Sequence, residues 1–213
     1  MKKVFFILLI MLTICHVKAY ENKYFEIDLP TDFKIEEEKN NTYKWVSTKN
    51  NHENVVITIN NNSSTNKHNI EYYKESDLVE YKKYIEEGMN NKLKNYNLTV
   101  EVKDVKKEKI NNNYSISYNI FWPTKESISY DIYQKGYSFT TNDYIYVYTF
   151  TSDKPINNDN ANYTKTINSF KLLDSPIKSN GFFDSEWKKI LFTSITFGVL
   201  GAIISLIKKS RKQ

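Results

Sequence analysis

The segment YIYVYTF, residues 144–150, decides the fold prediction for this chain. Tyrosine, isoleucine, valine, threonine and phenylalanine are the residue types that β-strands favour. Apolar or aromatic side chains occur at both odd and even positions, so both faces of such a strand should be buried. We therefore predict a central strand covered on each side, and we expect Tyr148 and Phe150 to pack against a helix that carries Ile85 and Met89.

Segments with alternating apolar and polar residues surround this strand, a pattern typical of half-buried strands. The clearest alternation covers residues 98–103, 114–122 and 128–132, and earlier strand candidates lie at 25–29, 43–47 and 55–59. Short polar turns at 111–113, 123–126 and 141–143 separate the later segments. Short turns between successive strands predict an antiparallel meander. Gly136, within the meander, indicates a bulge or bend.

Two segments have the helical period instead. Apolar residues recur every three or four positions after Asp77, which predicts an amphipathic helix that begins at this residue and runs to about Asn95. A second helix should begin near Asp159 and place Tyr163 and Ile167 on one face. The predicted fold class is α+β, with helices packed on an antiparallel sheet and one further helix, membrane-spanning, at the C-terminus.

Several short stretches also match the pattern of a known superfamily. YFEIDLP at 24–30, followed by DFK at 32–34, is similar to an entry motif of the form F-x-I-x-L-P … W-K, with Phe33 at the tryptophan position. YTFTS at 148–152 and INSF at 167–170 continue the match. Over residues 22–173 the chain resembles the PsbP/DcrB/Mog1-like α/β sandwich superfamily. The resemblance implies an adaptor or binding module more than an enzyme, and it transfers no functional residue.

The N-terminus has the pattern of a secretory signal peptide, predicted as residues 1–19. Lys2 and Lys3 precede an apolar run at 4–14, and Ala19 offers a small residue for cleavage. An uncleaved signal anchor is the alternative, although 11 apolar residues are short for a span. Cys15 could suggest a lipoprotein, but the bulky Ile14 before it argues against that processing. After cleavage the chain has no cysteine, so its core must be held together without disulfides.

The C-terminus predicts a membrane anchor. Residues 190–207 are 18 residues without a charge, long enough to cross most of a bilayer as a helix. We predict a transmembrane helix at 188–207, preceded by a tether at 174–187 and followed by a basic cytoplasmic tail at 208–213. The domain at 20–173 would then lie on the extracytoplasmic, periplasmic side of the cytoplasmic membrane.

Small residues recur along the predicted span and allow two helices to approach closely. This stripe predicts a homodimer contact or a contact with another membrane protein, and it consists of Ser194, Gly198, Gly201, Ala202 and Ser205. The alternative is that the stripe reflects ordinary membrane-helix composition, since such residues are common there.

Charge and motifs limit the functional classes. Residues 20–187 contain 21 lysines and 25 acidic residues, a net charge of −4, which argues against nucleic-acid binding. His52 and His68 lie in polar segments and are interpreted as solvated. The run Glu36 to Glu38 is interpreted as a solvated acidic segment. We therefore predict neither a metal site nor a cofactor. No catalytic constellation is apparent.

Tyrosine is unusually abundant, with 17 residues in the chain. Most should face the core, because strands favour tyrosine; the alternative is a tyrosine-lined groove for a peptide or glycan. The leading functional hypothesis is a non-enzymatic, membrane-anchored binding or adaptor module of a bacterial envelope. The alternative is an envelope-associated hydrolase that uses carboxylates which the sequence does not identify.

Overall fold

A computed structural model of the chain describes residues 18–62, 69–94, 98–124, 130–175 and 177. The predicted transmembrane helix with its stripe of small residues, the basic tail and most of the predicted signal peptide and tether lie outside these residues. No helix in the described ranges is long and apolar enough to cross a membrane.

The described ranges form two antiparallel sheets and two α-helices. In chain order the elements are β1 (Lys18–Glu21), β2 (Phe25–Leu29), β3 (Phe33–Lys39), β4 (Thr42–Ser47), β5 (Asn54–Asn61), a 3-10 turn (Ile70–Tyr72), α1 (Glu75–Leu93), β6 (Glu101–Ile110), β7 (Asn113–Trp122), β8 (Ile132–Thr140), β9 (Tyr144–Ser152), α2 (Ala161–Ser169) and β10 (Lys171–Leu172). The large sheet has the order β3-β4-β5-β9-β8-β7-β6, and the small sheet has the order β1-β2-β10. The predicted α+β class and the meander β6–β9 are confirmed.

Strand β9 is the fourth of seven strands and pairs with β5 and β8, so its predicted central position is also confirmed. The predicted partner of its aromatic residues was wrong. Tyr148 and Phe150 are fully buried among residues of the small sheet and α2, whereas Ile145 and Val147 belong to the cluster that contains α1. Successive side chains of a strand point to opposite faces, and the residues facing α1 are the odd-numbered aliphatic ones.

Helix α1 forms one outer layer. Tyr81, Ile85 and Met89 are completely buried against the large sheet, as the helical spacing predicts. The helix begins at Glu75, two residues before the predicted start. The carboxylate of Asp77 accepts a hydrogen bond from the backbone N–H of Lys74 at 2.8 Å, so this residue lies in the first turn and satisfies a free backbone donor.

The small sheet and α2 form the opposite layer, where buried side chains of β2 and α2 pack on β4, β5 and β9. Strands β1, β3 and β10 were not predicted. Strand β3 has six exposed residues out of seven, and β10 has only two residues, so neither has a readable alternation. Strand β1 spans the predicted cleavage site after Ala19, with Tyr20 and Glu21 paired to Ile27 and Glu26 on the mature side.

Gly136 does not mark a bulge. The pairing is continuous from Tyr118 through Gly136 to Thr149. The ring of Tyr118 lies where a side chain at position 136 would be, and it is completely buried there. Glycine is therefore required because a neighbouring ring occupies its side-chain space.

Buried tyrosines predict alkaline unfolding. Burial raises the pKa of Tyr81, Tyr118, Tyr146 and Tyr148, because desolvation disfavours the phenolate. Below about pH 10 both states hold these protons, whereas above it the unfolded chain loses them and the folded chain does not. We expect stability to fall as the pH rises from about 10. Tyrosinate absorbance and far-ultraviolet circular dichroism, recorded together, should show the last ionisations coinciding with unfolding; complete ionisation of a still folded protein would contradict this.

Candidate functional site

A cleft lies on the face of the large sheet that also carries the small sheet and α2. These two elements cover the part of the sheet formed by β4, β5 and β9. The part formed by β6, β7 and the first half of β8 is left open, and α2 with the loop before it forms a wall.

A bulge in β6 sets which side chains face the cleft. The pairing of β6 with β7 shifts between Lys103 and Lys106, and Asp104 has a positive φ of 51°. In a regular strand, residues three apart point to opposite faces; the extra residue places Lys106 and Glu108 on the same face as Lys103. The amide of Asn119 donates a hydrogen bond to the Asp104 carboxylate at 2.7 Å, which joins the bulge to the neighbouring strand.

The floor of the cleft consists of cross-strand pairs between β7 and β8. Phe121 pairs with Tyr133, and their half-buried rings are 5.1 Å apart. The next pair joins Asn119 to Lys135, and Ser117 follows opposite Tyr137. The floor thus changes along β8 from an aromatic pair to a basic residue.

Two adjoining cavities occupy this surface. The first, about 360 Å³, is lined by Lys103, Asn119, Phe121 and Tyr133 and is bounded by Pro155 and Ile156 of the loop before α2. The second, about 420 Å³, is lined by Lys106, Glu108, Lys135 and Tyr137 and by Tyr163 and Thr164 of α2. The two follow each other along β6 and β8, and we refer to them together as the β6–β8 cleft. The step from residue 133 to residue 137 corresponds to about 13 Å of strand.

Side-chain hydrogen bonds fix the helical wall. The carboxylate of Glu53 accepts from the amides of Asn160 at 3.3 Å and Asn162 at 2.7 Å, at the start of α2. At its other end, the Asn111 amide donates to the carbonyls of Asn168 and Phe170, both at 2.8 Å. These contacts at both ends indicate a preformed cleft.

Lys135 is the half-buried cation of the cleft. Burial lowers the pKa of its ammonium, with Glu108 opposing this shift and Lys106 adding to it. Its Nζ lies 5.8 Å from the centre of the Tyr137 ring, and within the described ranges it has no ion-pair or hydrogen-bond partner. Lys106 and Glu108 form an ion pair at 3.4 Å. A positive charge held in a partly dry site is well placed to receive an anionic group.

Two polar atoms on this face are also without partners. The Oε1 atom of Glu108 and the hydroxyl of Ser117 are both buried, and neither has a hydrogen-bond partner in the part of the chain that the structure describes. Native structures rarely leave buried polar atoms unsatisfied. Both atoms are covered by protein, so a molecule in the cleft would not contact them directly.

The residues discussed from sequence lie elsewhere. His52 is less exposed than predicted: it is half-buried and its ring lies 4.2 Å from the ring of Tyr130. His68 is outside the described residues. Glu36 forms an ion pair with Lys44 at 2.6 Å at the edge of the large sheet, and Glu37 and Glu38 are exposed beside it. No group of three or more potential metal ligands occurs among the described residues.

The cleft itself was not predicted, except that three of its residues are tyrosines. Tyr137 and Tyr163 are buried, and their hydroxyls hydrogen-bond to each other. They therefore form part of the cleft wall and do not line an open groove. Tyr133 is the one with an accessible ring face.

Comparison with known proteins gives similarity of fold only. No protein-family model matches the sequence, and no curated protein is a significant relative. Solved structures with a similar arrangement include cyanobacterial PsbP from Synechocystis, with 11% identity, a TM-score of 0.49 and coverage of 73% of this chain and 91% of that one. A protein of Bacteroides thetaiotaomicron has 11% identity and a TM-score of 0.47, and the match covers 73% of this chain and 48% of that one.

Proposed function

We propose that this protein is a binding or adaptor module of a bacterial envelope, held in the cytoplasmic membrane by one C-terminal helix. Its domain is displayed on the periplasmic side, and it binds its ligand in the β6–β8 cleft. The anchor is proposed from residues 188–207 and the signal sequence. A protein partner or second copy is proposed to contact the stripe of small residues in the membrane.

The observation that carries the proposed function is the preformed cleft with a half-buried cation and a half-buried pair of aromatic rings. Binding sites are concave, contain aromatic side chains and present a few polar groups that orient the ligand. In the β6–β8 cleft these are Phe121, Tyr133 and Lys135.

Binding without catalysis is favoured over hydrolysis by the state of the cleft carboxylates. General acid–base chemistry needs carboxyl groups free to exchange a proton with substrate. Asp104 accepts a hydrogen bond from Asn119, and Glu108 is paired with Lys106. These contacts favour a structural role for both carboxylates.

Cysteine labelling tests both the topology and the use of the cleft. In a Cys15→Ser background, single cysteines are introduced as Asn158→Cys at the wall of the second cavity, Tyr72→Cys on an exposed turn of the opposite side, and Gln213→Cys in the tail. Asn158 is exposed, and the cleft groups assigned to binding stay intact in this variant. We expect a membrane-impermeant maleimide to label positions 158 and 72 in spheroplasts, and position 213 only after permeabilisation.

Ligand occupancy is tested by the labelling rates of the same variants. Position 158 should react several-fold more slowly in native envelopes than after purification in detergent, whereas position 72, the matched control, should react equally in both. Labelling of position 213 from outside would contradict the topology. Equal rates at position 158 in both preparations would contradict a ligand-occupied cleft.

A further inference from the structure

We infer that the ligand of the β6–β8 cleft is a saccharide that carries a carboxylate, such as a chain of uronic acids. This inference rests on the proposed binding function and specifies its ligand class. Three features of the cleft lead to it: its position on the sheet, its unpaired ammonium group and its aromatic pair.

The position disfavours an extended peptide. Peptides that bind to sheets usually add a strand at an edge, where backbone N–H and C=O groups are free. The cleft floor lies on a sheet face, and the backbone of β7 is paired on one side with β6 and on the other with β8. A peptide lying there would find no backbone ladder, so recognition must come from side chains alone.

The charges favour one carboxylate on the ligand. Of the three lysines on the lining, Lys103 is paired with Glu101 at 2.9 Å and Lys106 with Glu108 at 3.4 Å. Lys135 has no ion-pair partner among the described residues, so we assign it as the contact for an anionic group of the ligand. A carboxylate brings one negative charge to this ammonium group, whereas a dianionic phosphate brings a second one close to the carboxylates of Asp104 and Glu108.

The remaining groups suit a sugar ring. Sugars offer many hydroxyl groups, and polar side chains of the lining such as Asn119 and Thr164 can exchange hydrogen bonds with them. A sugar also has a face of C–H groups, which are attracted to the electron-rich face of an aromatic ring. The Phe121–Tyr133 pair supplies such a surface at the other end of the cleft. The two successive cavities leave room for more than one sugar unit.

The test is titration calorimetry with the full-length protein in detergent. The probes are oligogalacturonate and oligoglucuronate of three units, the neutral galactose trimer, and a triglutamate peptide as the acidic peptide. We expect measurable binding of at least one uronate, weaker or no binding of the neutral sugar and the peptide, and loss of affinity with added salt.

Matched lysine variants assign the contact. Lys135→Met keeps the length of the side chain and removes its charge, and should weaken uronate binding about tenfold or more, as expected for a lost charge-assisted hydrogen bond. The control is Lys109→Met: Lys109 is on β6 and its Nζ lies 5.4 Å from the ring of Tyr114 on the opposite face of the sheet. This variant should bind like the wild type.

Tyr133→Ala should also weaken binding, because it removes one ring of the aromatic pair. The unfolding temperature of each variant shows whether it is folded.

Several outcomes would overturn the inference. These are tighter binding of the peptide or neutral sugar, equal effects of the two lysine variants, or no uronate binding by folded protein. If no uronate binds while position 158 is still protected in native envelopes, the ligand class is wrong and the binding function stands. If position 158 is also unprotected, the binding function fails as well.

Discussion

Replacing Gly136 by alanine is expected to destabilise the domain by about 3 kcal/mol, at the upper end of the usual range for overpacking. A Cβ atom at position 136 would lie 2.2 Å from Cζ and 2.3 Å from Cε2 of Tyr118. Such contacts are far inside van der Waals distance, so the ring or the strand has to move. The ring is completely buried and lies 6.2 Å from that of Tyr81, which leaves it little room.

A double-mutant cycle checks this explanation. Tyr118→Ala alone should be destabilising because it leaves a cavity. Combined with Gly136→Ala, the added methyl group enters vacated space, so the two losses should be clearly less than additive. The free energy of unfolding of the full-length protein in urea measures both. Additive losses would show that the ring and the glycine do not compete for the same volume.

Gly136 also illustrates what could be predicted from the sequence. The strand-favouring residues on both faces of the segment 144–150 predicted a central strand, and alternation in the neighbouring segments predicted the meander around it. The partner that makes glycine necessary, Tyr118, lies 18 positions away and meets it only through the strand register. The pattern of one sequence does not show which residues of neighbouring strands pair with each other. For this reason the isolated glycine was interpreted as a bulge.

The cleft was beyond prediction for a related reason. Alternation in EVKDVKKEKI, residues 101–110, reverses at Asp104, so the lysines at 103 and 106 share a face that a regular strand would not give them. The bulge has no glycine to signal it, since an aspartate takes the positive φ. The wall provided by α2 depends on long-range contacts such as Glu53 to Asn162. Both features arise from tertiary pairing, which the local pattern does not encode.

Phe150→Ala is expected to cost about 3–5 kcal/mol, the usual range for a fully buried phenylalanine. Phe150 is completely buried in the central strand β9, opposite Val55 on β5, and its ring lies 5.7 Å from that of Tyr163 on α2. The truncation would leave a cavity between the large sheet and α2, which neither layer can close without losing other contacts.

A matched control separates burial from residue type. Phe121→Ala removes the same ring from the half-buried floor of the β6–β8 cleft, and it should cost about 1 kcal/mol or less because no closed cavity forms. Urea unfolding of both variants measures the difference. A loss below about 1 kcal/mol for Phe150→Ala would mean that its ring is exposed and that α2 does not cover β9. If the predicted loss is found, the buried ring of Phe150 holds α2 on the sheet, in addition to the hydrogen bonds at both ends of the helix. The wall of the cleft then has the rigidity that selective binding requires.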